Sequence, residues 1–402
     1  MRYLFTLLAV IPASLALATI DRRQTPDAIP DSWIVTFKQD TAVSDALAKV
    51  LALANVKPAY TYDSVAFKGF SFRGTDTNGL LNLLASVGAI QNIEPDRKVY
   101  LNAPVDYIEK RARYVSQRNA PWGLARISKR TNDPAVTSYT YDSTYQGRGV
   151  YAYVLDTGIN FGHQDFGGRA VSGANYINSS LPAQDDNGHG THVSGIIGGS
   201  TYGVAKQVNL IAVKVLDASG VGDYSGVLAA MDWVVNDATS KKRRAVANMS
   251  LGSGYYEAVN TAVANAVKAG VFFAIAAGNS NHDAALDSPA STPEACVIGA
   301  SDNTDTRASF SNFGSLVDIF APGVNILSTW IGSNTATATL SGTSMATPHA
   351  AGVAAFLLGQ GVSTTAINLC SLIQSYGTMN VIQNAGVNTT TTLLNNPWPG
   401  EK

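Results

Sequence analysis

From Gly149 onward the chain is a succession of short, largely apolar runs separated by helix-like stretches, and that alternation limits the folds open to it. The runs are Val150 to Leu155, Asn209 to Leu216, Ala245 to Ser250, Val271 to Ala277 and Cys296 to Ala300. Between them, His192 to Gly198, Gly226 to Asn236 and Glu257 to Ala269 read as helices. Strands this apolar have no face to give to water, so they need cover on both sides. Their alternation with helices predicts an α/β domain with a mainly parallel central sheet and helices on both faces. In such sheets the reactive side chains gather at the carboxyl ends of the strands.

Ahead of this domain lies a separate pattern. Trp33 to Phe37 reads as a strand, Ala42 to Leu53 as a helix, Ala66 to Phe72 as an alternating strand, Leu80 to Val87 as a helix, and Ile90 to Tyr100 as a strand interrupted at Pro95. The βαββαβ-like order predicts a small α+β open-faced sandwich over residues 31–101. After it, Glu109 to Arg118 is basic and polar with no apolar period, which reads as an exposed linker open to proteolysis.

The first residues, Met1-Arg2-Tyr3, lead into an apolar run from Leu4 to Leu17 and the small-residue pattern Ala16-Leu17-Ala18. That is the form of a secretory signal peptide over residues 1–18, too short to span a bilayer comfortably. The chain is therefore expected outside the cell and not in a membrane. A formal net charge of -1 offers no electrostatic reason for a nucleic-acid partner. The only cysteines are Cys296 and Cys370. In an exported chain such a pair reads as a bridge, with two buried thiols as the alternative.

The stretch Ser341 to Gly352 follows a polar, β-prone run and precedes small and apolar residues through Leu358. It predicts an extended segment, a sharp turn and a buried helix beginning near Ser344, with Pro348 in the first turn, where its missing N–H costs nothing. A hydroxyl at that helix mouth feels the positive end of the dipole. Serine is a weak nucleophile unless a base takes its proton, and the base needs an orienting partner. Asp156 ends the first strand of the domain, and His189 stands in the glycine-rich Asn187-Gly188-His189-Gly190-Thr191-His192. A zinc site on His189 and His192 lacks the glutamate of a zincin and any third ligand, so His192 and His349 read as packing residues. Asn279 ends another strand after Ala276-Ala277-Gly278. Its amide is the type of donor that stabilises an oxyanion, and losing one costs roughly 3 to 4 kcal/mol of transition-state stabilisation.

Asp156-Thr157-Gly158, His189-Gly190-Thr191-His192, Ala277-Gly278-Asn279 and Gly342-Thr343-Ser344-Met345-Ala346 resemble, in order and spacing, the motifs of the subtilisin-like serine proteases. Asn119 to Ser128 and Tyr202-Gly203-Val204-Ala205 are similar to the secreted fungal proteinase K group. The resemblance covers nearly everything after Arg118, and the unit before it resembles that family's inhibitory propeptide. An α/β-hydrolase esterase would instead need Gly-x-Ser-x-Gly followed by Asp and then His; here Ser344 comes last and Ala346 stands at the second glycine.

The resemblance implies a zymogen with signal peptide 1–18, propeptide 19–114 and peptidase domain 115–402, cutting itself between Tyr107 and Asn119. It implies an acyl-enzyme mechanism with Ser344 as nucleophile, His189 as base, Asp156 as its orienting acid and Asn279 in the oxyanion hole. Gly220, Val221 and Gly222 on one side and Ser250, Leu251 and Gly252 on the other would flank an extended substrate as added strands. Ala276, Ala277 and Gly278 would line an open apolar first pocket, implying cleavage after aromatic or aliphatic residues, and Tyr224 lies near a fourth subsite. The implied partners are protein and peptide substrates and the chain's own propeptide as intramolecular inhibitor, acting on a monomer.

No cofactor is implied for catalysis, but a structural calcium is, held by Asp318 with the carbonyls of Pro293 and Ala295. Tyr151 and Val193 stand where the family has two other cysteines, so only the bridge matching Cys296 and Cys370 remains possible, and Arg130 falls where a ligand of a second calcium site would be expected. Glycosylation sequons occur at Asn178, Asn248 and Asn388. Asn178 and Asn388 fall in polar loops; Asn248 falls in a buried strand and reads as unmodified.

Overall fold

The computed structural model describes residues 18–22, 27–77, 79–101, 120–135, 137–143 and 145–396. The apolar leader run and the basic linker lie outside the described residues. Seven parallel strands form the central sheet, in the order Ile319–Pro322, Cys296–Ser301, Phe272–Ala276, Arg244–Met249, Val150–Asp156, Asn209–Lys214, Ala170–Asn175. The sequence reading finds the middle of this sheet and misses its edges. Ala170–Asn175 carries Ser172, Gly173 and an exposed Val171, so it shows no apolar run, while Ile319–Pro322 is apolar and buried but only four residues long and ends in proline.

Alternate residues of each strand serve opposite faces. Val150, Ala152 and Val154 join a core with Ile196, Met345, Ala350 and Val353, contributed by the helices His189–Gly198 and Thr343–Gly359. Tyr153 and Leu155 join another with Val227, Met231, Val259 and Val263, from the helices Tyr224–Ser240 and Glu257–Lys268. This is the α/β arrangement expected. Cys296 and Cys370 are bridged with Cα atoms 5.4 Å apart, tying a sheet strand to the helix Ala366–Tyr376. No helix among the described residues is long and apolar enough to cross a membrane.

Pro348 sits one turn deeper in its helix than expected, since the helix already begins at Thr343. Proline there removes the N–H that would bond the carbonyl of Ser344. The hydroxyl of Ser250 takes that carbonyl instead, at 3.1 Å.

The N-terminal unit is an antiparallel sheet in the order Ile90–Leu101, Ala28–Phe37, Lys68–Arg73, Pro58–Asp63. Its two helices, Val43–Ala54 and Leu80–Ala85, cover one face through Val35, Phe70, Phe72 and Ile93. Pro58–Asp63 escapes the sequence reading because proline, lysine and aspartate flank it, yet it completes the predicted order. Ile90–Leu101 continues through Pro95, but its pairing with Ala28–Phe37 shifts register beside it, Pro95 lying opposite Trp33 and Arg97 opposite Ala28. The open face turns to the large domain, where Asn265 donates to the carbonyl of Ala66 at 2.8 Å and Ser225 donates its N–H to Asp96 at 3.1 Å.

The far end of Ile90–Leu101 leaves its own unit. It lies antiparallel between Val221–Asp223, with Val99 opposite Gly222, and Leu251–Gly254, with Leu101 opposite Leu251. One strand thus closes two short edges that the large domain leaves open.

Glu94, on this strand, is buried beside Asn92, Arg97, Asp21 and Glu257, and burial pushes its carboxyl up to about 8 from its ordinary 4.5. A carboxyl raised by folding stabilises the docked state fully below pH about 4.5, and that stability is lost as pH climbs toward about 8. Glu94→Gln is therefore expected to raise the thermal midpoint of the full chain, relative to wild type, progressively between pH 5 and 8. A difference that stays constant over that window would show that Glu94 ionises as freely in the folded chain as in solution.

Candidate active site

The strand ends at one edge of the sheet deliver the predicted residues. Asp156, fully buried, is the last residue of its strand. Its Oδ1 accepts the N–H of Thr157 at 2.7 Å, and its two oxygens lie 2.8 and 3.0 Å from Nδ1 of His189. An ionised carboxylate only accepts, so Nδ1 carries the hydrogen and Nε2 presents its lone pair. Nε2 is buried and has no hydrogen-bond partner among the described residues. The site holds an oriented base.

His189 opens its helix from a turn that packs against the Asp156 corner. A Cβ on Gly190 would come within 2.2 Å of the carbonyl of Gly158, so only glycine permits this approach. Ser344 is the second residue of the helix Thr343–Gly359 and is buried, with Oγ donating to the carbonyl of Ser250 at 3.3 Å. The structure thus joins His189 to Asp156 and Ser344 to Ser250, and draws no hydrogen bond from Nε2 of His189 to Ser344.

Asn279 follows the strand Phe272–Ala276. Its Oδ1 accepts both the N–H and the hydroxyl of Thr343, at 2.9 and 2.8 Å. With the carbonyl end of the amide so fixed, the NH₂ end is turned away from Thr343. Ala276, Ala277 and Gly278 are buried beside it. Leu251 and Gly252, with Val221 and Gly222, pair with the inserted strand already described, and Ser250 and Gly220 immediately precede these paired residues. Tyr224 is fully buried, its hydroxyl donating to the carbonyl of Ser288 at 2.9 Å and its ring stacked on Tyr256 with centroids 5.1 Å apart.

The other histidines behave as packing residues. His192 places Nε2 at 3.0 and 3.1 Å from the carbonyls of Ile326 and Ala338, and burial holds it down at about 3. His349 bonds the carbonyl of Met345 at 2.9 Å, with burial lowering it to about 4. Both are neutral at ordinary pH.

Asp318 accepts the N–H of Val297 at 2.8 Å and the amide of Gln374 at 3.3 Å. Neither donor is charged, and burial raises the carboxyl to about 6. A carboxylate desolvated without a compensating charge fits an oxygen-bound cation, with Pro293 and Ala295 just ahead of the adjoining strand. Arg130, in place of the second site's ligand, donates to the carbonyls of Tyr376 and Gly377 at 2.7 and 2.8 Å. Asn178 and Asn388 are exposed, whereas Asn248 is buried with its amide on the hydroxyl of Ser250 at 2.9 Å.

Three residues around this site, Asp185, Lys214 and Asn312, were not singled out from the sequence. Asp185 is buried, and its Oδ1 takes the hydroxyl of Thr157 and the N–H groups of Asn187 and Gly188 at 2.8, 3.0 and 2.9 Å. Its Oδ2 takes the N–H and hydroxyl of Thr191 at 2.9 and 2.6 Å. One carboxylate therefore knits the Asp156 corner to the His189 turn. An aspartate just ahead of a helix start is a capping signal that could have found it. Lys214 reinforces the corner from the next strand, donating to the carbonyl of Thr157 at 2.6 Å and to Asp186 at 2.6 Å. Asn312, which contacts the Asn279 segment, carries no local signal at all.

Residues 147–396 match the model of the subtilase family. The chain is 47% identical over 362 residues to a subtilisin-like serine protease of Sarocladium strictum, covering 90% of this chain and 88% of that one. It is 44% identical to a cuticle-degrading protease of Metarhizium anisopliae, covering 94% and 96% of the two chains. With proteinase R of Parengyodontium album the identity is 40%, over 99% of both. Among solved structures, a cold-adapted subtilisin-like serine proteinase matches with a TM-score of 0.65 at 46% identity, over 70% of this chain and all of that one. Fervidolysin of Fervidobacterium pennivorans shares the fold, with a TM-score of 0.75 at 21% identity over 94% of this chain and 62% of that one.

Asp185→Ala would orphan several buried donors at once, at about 1 to 3 kcal/mol each. The expected result is a loss of at least about 3 kcal/mol in urea unfolding. An unchanged midpoint would mean that the knot contributes nothing.

Proposed function

This chain belongs to the subtilase family and is a serine protease, and from that premise we propose that it is a secreted endopeptidase made as a zymogen. Ser344 is the nucleophile, His189 the general base and then acid, and Asp156 the group that fixes the imidazole. The observation that carries this is the buried Asp156–His189 pair with Nε2 left bare. Hydrogen bonds from nucleophile to base commonly close only when substrate is seated, so an open Nε2 in the resting site agrees with the reading.

In the reaction, Oγ of Ser344 attacks the scissile carbonyl while Nε2 of His189 takes its proton. The imidazolium is stabilised by Asp156, and the carbonyl electrons move onto oxygen. Asn279 and the N–H of Ser344 receive that oxyanion, aided by the helix N-terminus. Collapse breaks the C–N bond, Nε2 returns the proton to the leaving amine, and water then repeats the sequence on the acyl-enzyme.

Substrate binds as the middle strand between 220–222 and 250–252, with main-chain bonds that tolerate many sequences. The small walls at Ala276, Ala277 and Gly278 favour an aromatic or aliphatic residue before the cut. The strand Ile90–Leu101, pairing with both borders, supports the reading of residues 19–114 as an inhibitory propeptide behind a signal peptide of 1–18, with 115–402 as the peptidase domain. Calcium on Asp318, with carbonyls from Pro293 and Ala295, would supply the missing positive charge there and stiffen that corner. Glycans are proposed on Asn178 and Asn388, and the enzyme acts on proteins and peptides as a monomer, without a cofactor in the chemistry.

Ser344→Ala is expected to lower casein hydrolysis by roughly 10⁴-fold or more and to leave the secreted precursor uncut. N-terminal sequencing of the wild-type product should give a start between Tyr107 and Asn119. Full activity in the variant, or a start within residues 31–101, would overturn the zymogen reading. Removing calcium with a chelator is expected to lower the thermal midpoint, and Asp318→Asn should abolish that response; an unshifted midpoint removes the metal site.

A further inference from the structure

Asn279 is half-buried and lies in a segment, 277–282, that belongs to no helix or strand. Asn312 reaches this segment on both sides of Asn279. Its Nδ2 donates to the carbonyl of Ala277 at 2.9 Å, and its main-chain N–H donates to the carbonyl of Gly278 at 2.9 Å. Its Oδ1 accepts the N–H groups of Ser280 and His282 at 3.0 and 3.2 Å. The remaining amide hydrogen goes to Oδ2 of Asp287 at 2.9 Å, an oxygen that also holds Nε2 of His282 at 2.6 Å.

Asn312 is fully buried, and the capacity of its amide is used up by these contacts. The amide cannot be turned over, because that would set its oxygen against a carbonyl and a carboxylate. The approach is also too close for other residues: Gly278 has φ +105°, and a Cβ there would lie 2.4 Å from Nδ2 of Asn312. The side chain of Asn279 is held separately by Thr343, from the helix that carries Ser344. The main chain is therefore clamped by one element and the amide by another.

We propose that Asn312 is the positioning residue of the oxyanion hole, holding the main chain on both sides of Asn279 so that its amide meets the oxygen on which charge develops. This rests on the assignment of Asn279 in the proposed mechanism. Asn312 touches no reacting atom. Its effect passes through Asn279, because a donor displaced by a fraction of an ångström loses most of its advantage in the transition state.

The test is a double-mutant cycle on the mature enzyme, with kcat expressed per active site titrated by a serine-directed sulfonyl fluoride. Asn312→Ala should lower kcat on a peptide amide roughly 10- to 100-fold while KM changes by less than about two-fold. Affinity for a peptide aldehyde, whose hemiacetal places an oxyanion in the same position, should fall by the same factor. In an Asn279→Ala background, Asn312→Ala should change kcat by less than about two-fold, since residues acting as one unit are not additive.

Asp287→Asn, which keeps the volume and weakens the hold on Nδ2, should show a smaller loss with the same non-additivity; it carries the test if Asn312→Ala is not secreted. Losses that multiply in the double variant, or a raised KM with kcat intact, would make Asn312 a wall of the first pocket and overturn the proposal. An unaltered kcat in Asn279→Ala alone would be a different failure, that of the oxyanion assignment itself.

Discussion

A carboxylate sealed at the edge of a parallel sheet is expensive to keep charged, and the arrangement around Asp156 follows from meeting that cost. The N–H of Thr157 and the Nδ1 hydrogen of His189 are its compensation. For both to arrive, the corner after the strand and the turn before the His189 helix have to meet at van der Waals distance. Asp185 and Lys214 make that meeting rigid by tying the two segments through buried bonds. The imidazole is thereby held in one tautomer, with no hydrogen bond to its Nε2 among the described residues.

The serine side is built on a different logic. The helix Thr343–Gly359 is buried along almost its whole length, so its residues are small, and Gly352 presses against Val204 where a Cβ would meet a side-chain atom at 2.6 Å. Pro348 frees the carbonyl of Ser344, and Ser250 claims it. Ser250 also receives the Ser344 hydroxyl. A helix irregularity therefore becomes a joint between Ser344 and Ser250, held by two hydrogen bonds.

Two short strand edges beside that joint are unsatisfied by the large domain alone, and open edges invite a partner strand. In this chain the partner is Ile90–Leu101. The proposed restraint by this strand and the proposed binding of an extended peptide rest on the same main-chain groups. The buried carboxyls of Glu94 and Asp96 on the docked strand make its grip dependent on pH rather than on apolar contact alone.

The amino-acid sequence determined which strands occupy the middle of the sheet, because apolar runs there have no alternative to burial on both faces. It also marked Asp156, His189, Asn279 and Ser344, since each lies at or just past a strand end or at a helix start in a setting of glycines and small residues. The edge strands at Ala170 and Ile319 and the strand at Pro58 were illegible, because segments this short show too little periodicity and gain their structure from neighbours. Only the tertiary structure decided that Asp185 reaches Thr157 and that Asn312 reaches the segment around Asn279. Their hydrogen bonds join segments distant in the chain, and a side chain that serves a distant backbone leaves no periodic trace around itself.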